Sequence, residues 1–356
     1  MTMDSRERIR AIIAGETADR CGFWLGNPHP DTWPILHKYF GTNTEEELRQ
    51  KLGDDFRWIS PQFFPNNYQD PYGGKALFDR QLLGRVEKWR AAGFQGGRNE
   101  KKHAAIAPLA ECECIDEIES FPWSNPDFLN FDLCLESLRN AGSVYRASGF
   151  WGGYFDSAKD LFGMEAYMIK TYTNPDVVHA AIDHFCGFYY EANQRFFEAA
   201  SDLVDGVFFG SDFGTQRDLQ CGPKHFDEFI MPWLRKFTQQ AHDYGYQVIF
   251  HSCGAIHKVI GRLIEAGVDC LHPLQTKAAQ MDAETLAKDF KGRIAFMGGI
   301  DTQDLLVRGS TAQIKKEVRR VKELLGPRLI VSPAHEALLP DVPAENVAAM
   351  AEAALE

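Results

Sequence analysis

The 356-residue chain carries 38 basic and 50 acidic side chains, a formal net charge of −12, with 44% hydrophobic and 25% charged residues. That is ordinary globular composition, and with a pI near 5.4 it excludes the clustered Lys and Arg that nucleic acid or an anionic membrane requires. No run reaches the ~18 apolar residues of a membrane span, MTMDSRERIR holds no signal-peptide core, and eight cysteines read as free thiols, so a cytoplasmic enzyme acting on a small molecule is expected.

In chain order, the first candidate strands are Cys21–Leu25, Phe56–Ser60 and Val144–Trp151. Between the second and third, residues 66–133 read as an inserted stretch of irregular hairpins and helices. A helix is expected from about Ser157 to Tyr172, and Asn174-Pro175 marks a new helix start, with Asn as cap and Pro as first helical residue. Strands follow at Asp205–Gly210, Tyr246–His251, Val268–Pro273, Arg293–Gly298 and Arg328–Pro333, each a short apolar run bounded by Gly, Pro or polar residues. Helical spacing fills the gaps at Pro223–Tyr244, with Pro232 as a kink, at Ile256–Ala266 and at Thr311–Leu325.

Eight strands alternating with helices predict an α/β fold: a (β/α)8 TIM barrel with an N-terminal helical elaboration, one domain over residues 1–356. An open doubly wound sheet is the alternative, but no GxGxxG follows the first strand.

In such a barrel the chemistry gathers at the carboxyl ends of the strands. Those ends carry Trp24 and Asn27, Gln62, Trp151, Asp212 and Gln216, His251 and Cys253, His272 and Gln275, Asp301, and His335 with Glu336. In His251-Ser252-Cys253 the i and i+2 side chains project to one side, so an imidazole and a thiolate can converge on zinc. The bland alternative is a hydrogen-bonded barrel histidine beside a small buried thiol. His335 could be a third ligand, a general acid or base, or a donor to a carboxylate; a loop histidine satisfied by backbone is the alternative. Glu336 beside it is expected to point away, into solvent or a salt link. Asp212 and Gln216 could orient a polar substrate, or Asp212 could cap a turn. Asp301 is expected to cap the next helix. Cys112-x-Cys114 lacks a second pair and is weak as a metal motif. Trp24 and Trp151 suggest an aromatic pocket wall, although core filling accounts for most of the 26 Phe and their like.

Three segments, HSCGAIHKVIGRLIEAGVDCLHPLQ, FMGGIDTQ and VSPAHEALLPDVPAENVAAM, occur in the order seen in the uroporphyrinogen decarboxylase superfamily. RERIRAIIAGETADR and GSDFGTQ fit the same pattern, and the chain resembles that superfamily over nearly its whole length. The superfamily joins the haem-pathway decarboxylase to cobalamin-dependent methyltransferases, and the resemblance implies a (β/α)8 barrel with its pocket at the mouth. The decarboxylase branch carries an arginine-rich motif where this chain reads GFWLGNPHPDTW, and a tetrapyrrole with eight carboxylates needs cationic anchors. His335 matches a histidine of that branch's eighth strand. The methyltransferase branch binds zinc through His-x-Cys and a later cysteine. His251 and Cys253 match the first two, whereas the later position holds His335 and no cysteine follows Cys270.

The resemblance thus implies a zinc-assisted methyltransferase, with zinc on His251, Cys253 and His335. A small methylated compound would rest against Trp24 and Trp151, with Asn27, Gln62, His272 and Gln275 as further contacts. Asp212, Gln216 and His335 are the candidate catalytic groups. No DxHxxG is present, so the methyl acceptor would be a corrinoid on a partner protein, or a thiol. A homodimer is also implied. The alternatives are a metal-free decarboxylase or lyase with His335 as proton donor, and a non-catalytic accessory subunit.

Overall fold

The computed structural model describes residues 3–61, 107–121, 123, 126–152 and 154–356. Eight short parallel strands are present: β1 Gly22–Phe23, β2 Phe56–Trp58, β3 Tyr145–Ser148, β4 Gly206–Gly210, β5 Gln247–His251, β6 Cys270–Leu274, β7 Ala295–Ile300 and β8 Leu329–Pro333. Their order is β1-β8-β7-β6-β5-β4-β3-β2. This is the expected (β/α)8 barrel, nearly closed by backbone ladders.

Acidic side chains complete the seam between β1 and β2. Asp55 donates its N–H to the Phe23 carbonyl at 2.9 Å and accepts the Phe23 N–H on its carboxylate at 3.0 Å. Asp54 accepts the Leu25 N–H at 3.2 Å. A strand as short as β1 therefore has its buried donors satisfied without a ladder. Both carboxylates are themselves neutralised. Asp55 pairs with Arg8 and Arg20 at 2.8 and 2.7 Å, and Asp54 with Arg49 at 2.6 Å.

The expected N-terminal helix, Ser5–Ala14, begins with an Asp4–Glu7 capping box. It plugs the amino-terminal end of the barrel. Ile9, Ile12 and Ile13 join Trp24, Phe56, Tyr145, Phe208, Ile249, Cys270, Met297 and Ile330 in one interior cluster. Gly22 leaves room for this packing, since a Cβ there would lie 2.4 Å from Ile9 Cδ1 and force that side chain to shift. Arg6 and Arg10 bind Asp205, just before β4, at 2.7 and 2.9 Å. This end is sealed by apolar packing and buried ion pairs, which leaves the carboxyl end for chemistry.

Outer helices bury one apolar stripe each. In Thr311–Leu325, Ile314, Val318, Val321 and Leu325 face inward at helical spacing. Two expected helices differ in detail. The stretch read as one helix from Ser157 to Tyr172 is two, Tyr154–Phe162 and Met164–Thr173. The break falls at Gly163, whose φ of +79° no right-handed helix admits. The helix at Pro223–Asp243 contains a π-helical turn, Phe226–Ile230, in which Met231 N–H bonds Phe226 C=O. That extra residue lies directly before Pro232, which has no N–H to continue the ordinary ladder. Within the segment 66–133, residues 115–119 and the start of Asp132–Asn140 are helical. None of the eight cysteines is disulfide-bonded, and no described helix is long and apolar enough to cross a membrane.

Candidate active site at the barrel mouth

Two loops at the tops of β4 and β5 are locked together by backbone. Gly214 N–H bonds Cys253 C=O at 3.2 Å and Ala255 N–H bonds Thr215 C=O at 2.7 Å. Gly254, at φ +87°, sits so close that a Cβ would fall 2.5 Å from the Gly214 carbonyl carbon. The contact presents Asp212 to the β5 loop, where its Oδ1 accepts the Cys253 N–H at 2.9 Å.

Three potential ligand atoms meet there. His251 Nε2 lies 3.4 Å from Cys253 Sγ and 3.3 Å from Asp212 Oδ1. Zinc bond lengths of about 2.0 Å to N or O and 2.3 Å to S, at tetrahedral angles, place N and S about 3.5 Å apart and N and O about 3.3 Å apart. The observed spacings are compatible with ligands around one ion; the N···O spacing is long for direct N–H···O bonding, whereas the N···S spacing also fits a hydrogen bond. Asp212, His251 and Cys253 thus form one group able to hold a metal, and His251, His272 and Glu336 form another.

The electrostatics follow the same geometry. Burial alone would raise the Asp212 carboxyl, but its contact with His251 holds it well below the usual carboxylate range. Burial alone would lower the His251 imidazole; the fields of Cys253, Glu336 and Asp212 reverse this and hold it well above its ordinary value. Burial pushes the Cys253 thiol up to about 12. His272, buried beside His251 and His335, is held well below the ordinary histidine value.

On the other side of His251, its Nδ1 lies 3.0 Å from His272 Nδ1 and 3.9 Å from Glu336 Oε2. Glu336 therefore points inward, only 12% exposed, and not away from the barrel as the sequence suggests. The cause is remote. Asn27 N–H bonds the Glu336 carbonyl at 2.7 Å, and Gly26 packs so tightly on it that a Cβ would lie 2.4 Å from that oxygen. Asn27 serves here through its backbone.

His335 is in neither ligand group. Its Nδ1 accepts the Ala337 N–H at 3.1 Å and stands 3.6 Å from Glu336 Oε2. The third ligand atom within reach of His251 and Cys253 is the Asp212 carboxylate, not His335. Gln216 donates to Gln275 Oε1 at 3.2 Å, and the same oxygen accepts the Gly254 N–H at 2.9 Å. Both glutamines line a cavity of about 310 Å³, shared with Lys277, Asp301, His335 and Asp341. Asp212, His251 and Cys253 do not line this cavity; Gln275 connects it to the β5 loop through its bond to Gly254. Asp301 accepts the N–H groups of Gln303, Asp304 and Leu305, the helix-capping role expected of it.

Beneath the imidazoles lies an aromatic floor. Trp151 meets His251 at a centroid distance of 5.2 Å, Trp24 meets His272 at 5.3 Å, and Phe208 meets His272 at 5.1 Å. Trp58, at the end of β2, joins Trp151 at 5.3 Å and Phe208 at 4.8 Å. Sequence reasoning missed Trp58, although the Phe56-Arg57-Trp58 alternation signals an inward side chain. Gln62 lies outside the described residues. Cys112 is half-buried and Cys114 exposed, and among the described residues neither joins a group of ligands. Five buried polar atoms at this end, Trp24 Nε1, Trp58 Nε1, Ser60 Oγ, His272 Nε2 and Glu336 Oε2, have no hydrogen-bond partner among the described residues. Such atoms are rare in finished interiors and common where a ligand belongs.

The sequence profile of the family described as uroporphyrinogen decarboxylase (URO-D) matches residues 132–356. Among solved structures, a methyltransferase from Methanosarcina mazei superposes with a TM-score of 0.64 at 17% identity, covering 99% of this chain and 98% of its own. Dispersin B overlaps with a TM-score of 0.32 at 12% identity, over 63% of this chain and 75% of its own, too loosely to inform the site. No curated protein matches the sequence.

Proposed function

The chain belongs to the uroporphyrinogen decarboxylase family, and within that family we propose that it is a zinc-assisted methyltransferase. The observation that carries this reading is the spacing of His251 Nε2, Cys253 Sγ and Asp212 Oδ1, at 3.4 and 3.3 Å from the imidazole nitrogen. An arrangement of three ligands leaves a fourth position open for substrate. The fold likeness to a methanogen methyltransferase, at 17% identity, agrees with the reading without carrying it.

A zinc ion at this site would act as a Lewis acid on the heteroatom that bears the methyl group. The chain's residues supply the rest. Cys253 must lose its proton to become a ligand, a loss that metal binding would itself drive. Trp151 and Trp58 offer flat apolar walls for a small methoxylated aromatic or methylamine-like compound. Gln216 and Gln275 orient its polar end from the flanking cavity. When the carbon–heteroatom bond breaks, its electron pair stays on the heteroatom, and His335, no longer needed as a ligand, is placed to supply the proton. The methyl group passes to a nucleophile from outside the chain, a corrinoid on a partner protein or a thiol.

Tetrapyrrole decarboxylation is disfavoured by the same geometry. Among the described residues, the buried arginines Arg8, Arg49, Arg57 and Arg146 are all engaged by Asp or Glu, and no arginine lines the mouth cavity.

The test is metal content of untagged protein, followed by demethylation of methoxy and methylamino compounds with corrinoid proteins added. About one zinc per chain in the wild type, lost in His251→Ala and Cys253→Ser, is expected. Absence of turnover with every compound and corrinoid protein, in zinc-loaded enzyme, would overturn the methyl-transfer reading.

A second reading rests on the His335–Glu336 pair, 3.6 Å apart at the mouth. A carboxylate beside an imidazole can serve a metal-free lyase or decarboxylase acting on a small acid, with His335 as proton donor. It predicts that activity survives chelators and that His335→Ala is far more damaging than Cys253→Ser.

A further inference from the structure

We infer that His272 is a positioning residue, which accepts the Nδ1–H of His251 and so holds the His251 Nε2 lone pair toward Asp212 and Cys253. The inference deepens the zinc reading and draws its functional consequence from it.

Four observations converge. The two Nδ1 atoms are 3.0 Å apart, a hydrogen-bond distance. Two nitrogens sharing a tetrahedral zinc would stand about 3.3 Å apart, so a proton between the rings fits better than an ion. The rings are placed side by side by the sheet, since His251 pairs with His272 in the β5–β6 ladder and Ser252 N–H bonds the His272 carbonyl at 2.8 Å. His272 is fully buried, which removes it from contact with solvent and makes it a poor substrate contact. Its ring is clamped edge-on against Phe208 at 5.1 Å and 86°, and against Trp24 at 5.3 Å and 63°.

The direction of the bond follows from His251. Its Nε2 faces a thiol and a carboxylate and must offer a lone pair to a metal, so its proton belongs on Nδ1. Glu336 Oε2, at 3.9 Å, is too distant to accept that proton directly. His272 Nδ1 is then the acceptor, and the His272 proton is driven to Nε2, which has no hydrogen-bond partner among the described residues. An apolar residue would fill this place without leaving a buried polar atom unsatisfied. The arrangement makes sense when the benefit is the tautomer and angle of His251, the task that partners of metal-bound histidines perform. The sequence reading of His272 as a substrate contact is replaced by this one.

The experiment uses full-length protein labelled with 15N-histidine, as wild type, His272→Phe and His272→Gln. The His251 signals are assigned by their loss in His251→Asn. Phe keeps a ring against Trp24 and Phe208 but cannot accept a proton, whereas Gln retains an acceptor oxygen. The expected result is a protected Nδ1–H on His251 in wild type, lost in the Phe variant and retained in the Gln variant. Zinc affinity, measured by competition with a chromophoric chelator, should fall about 10- to 100-fold in the Phe variant and recover largely in the Gln variant.

Wild type that binds no zinc yet shows the Nδ1–H, lost in His272→Phe, would support the positioning role and sink the zinc reading. An unprotonated Nδ1 on wild-type His251 would overturn the inference, and this result does not depend on any variant folding. Unchanged zinc affinity in His272→Phe would also overturn it. So would two zinc ions per wild-type chain, one of them lost in both His272→Phe and Glu336→Gln, because His272 would then be a ligand of a second ion.

Discussion

Asp212 and His251 face one another across the tops of neighbouring strands, Oδ1 to Nε2 at 3.3 Å, with Cys253 Sγ on the same nitrogen at 3.4 Å. The carboxylate is brought there by the Gly214–Cys253 backbone contact, which makes it a candidate third ligand that the sequence did not suggest. Asp212→Asn preserves the shape and the Cys253 N–H bond while removing the anionic donor. Zinc affinity should fall by at least about 100-fold, more than for loss of an outer partner, with Tm near the wild-type value. An affinity within threefold of wild type would return Asp212 to the substrate-orienting role read from the sequence.

Glu336 depends on Gly26. Gly26 has φ +83°, and a Cβ there would lie 2.4 Å from the Glu336 carbonyl oxygen, so Gly26→Ala meets both backbone strain and a clash. The expected cost is about 2–4 kcal/mol, above the roughly 1–2 kcal/mol of the left-handed conformation alone. Gly41, with φ +64° and open space around its Cβ position, supplies the control, since Gly41→Ala carries only the conformational part. Urea unfolding of both variants separates the contributions. Zinc affinity should drop in Gly26→Ala and stay unchanged in Gly41→Ala.

The barrel was legible because its strands are buried on both faces and read as compact apolar runs between Gly and Pro. Each of the eight expected strands contains an observed one, or overlaps it within two residues at the ends. His251 and Cys253 were legible for a similar reason: spacing i, i+2 at a strand end is local information. The approach of Asp212 to His251 and Cys253, the inward turn of Glu336 and the His251–His272 contact were not legible. Each is set by contact between segments distant in sequence, and Glu336 is turned by a glycine more than 300 positions earlier. Trp58 lay between, because alternation in β2 marks it as inward, but nothing local places it against Trp151. Gly163 shows the same limit in a helix, where one glycine inside an apolar pattern does not declare its φ.

The β1–β2 seam should be sensitive to charge. Asp55 has no exposed side-chain area, and it accepts from Arg8, Arg20 and the Phe23 N–H. Asp55→Asn keeps the volume but removes the carboxylate charge that Arg20 pairs with and one of the two that Arg8, 7% exposed, pairs with, the other being Asp19. Removing one member of a buried pair costs about 3–5 kcal/mol, an upper bound here because Asp19 still holds Arg8 and Arg20 is partly exposed. Asp55→Asn should lower the urea midpoint accordingly. Asp218→Asn, whose partner Lys258 is half-exposed, should change it by less than about 1 kcal/mol.

A buried histidine outside the ligand groups should make the protein acid-sensitive. His225 is 8% exposed, its Nε2 lies 3.0 Å from the Tyr167 hydroxyl, and Phe155 and Phe229 pack against its ring. Burial pushes this imidazole down from 6.5 to about 4. The unfolded chain therefore takes up a proton near pH 6.5 that the folded chain refuses until about pH 4. Stability from the neutral ring is fully present above pH 6.5 and is lost as the pH falls toward 4. Between pH 7.5 and pH 4.5 this group alone should remove about 2.5 kcal/mol, from 1.36 kcal/mol per pH unit of differential protonation. Carboxylates titrate over the same range, so the measurement is the difference between wild type and His225→Gln, which has no proton to gain. The variant should be less stable at pH 7.5, where it loses ring packing, and the gap should shrink or reverse at pH 4.5. A gap that stays constant between the two pH values would overturn this reading, because His225 would then take up its proton over the same pH range in the folded and unfolded chains.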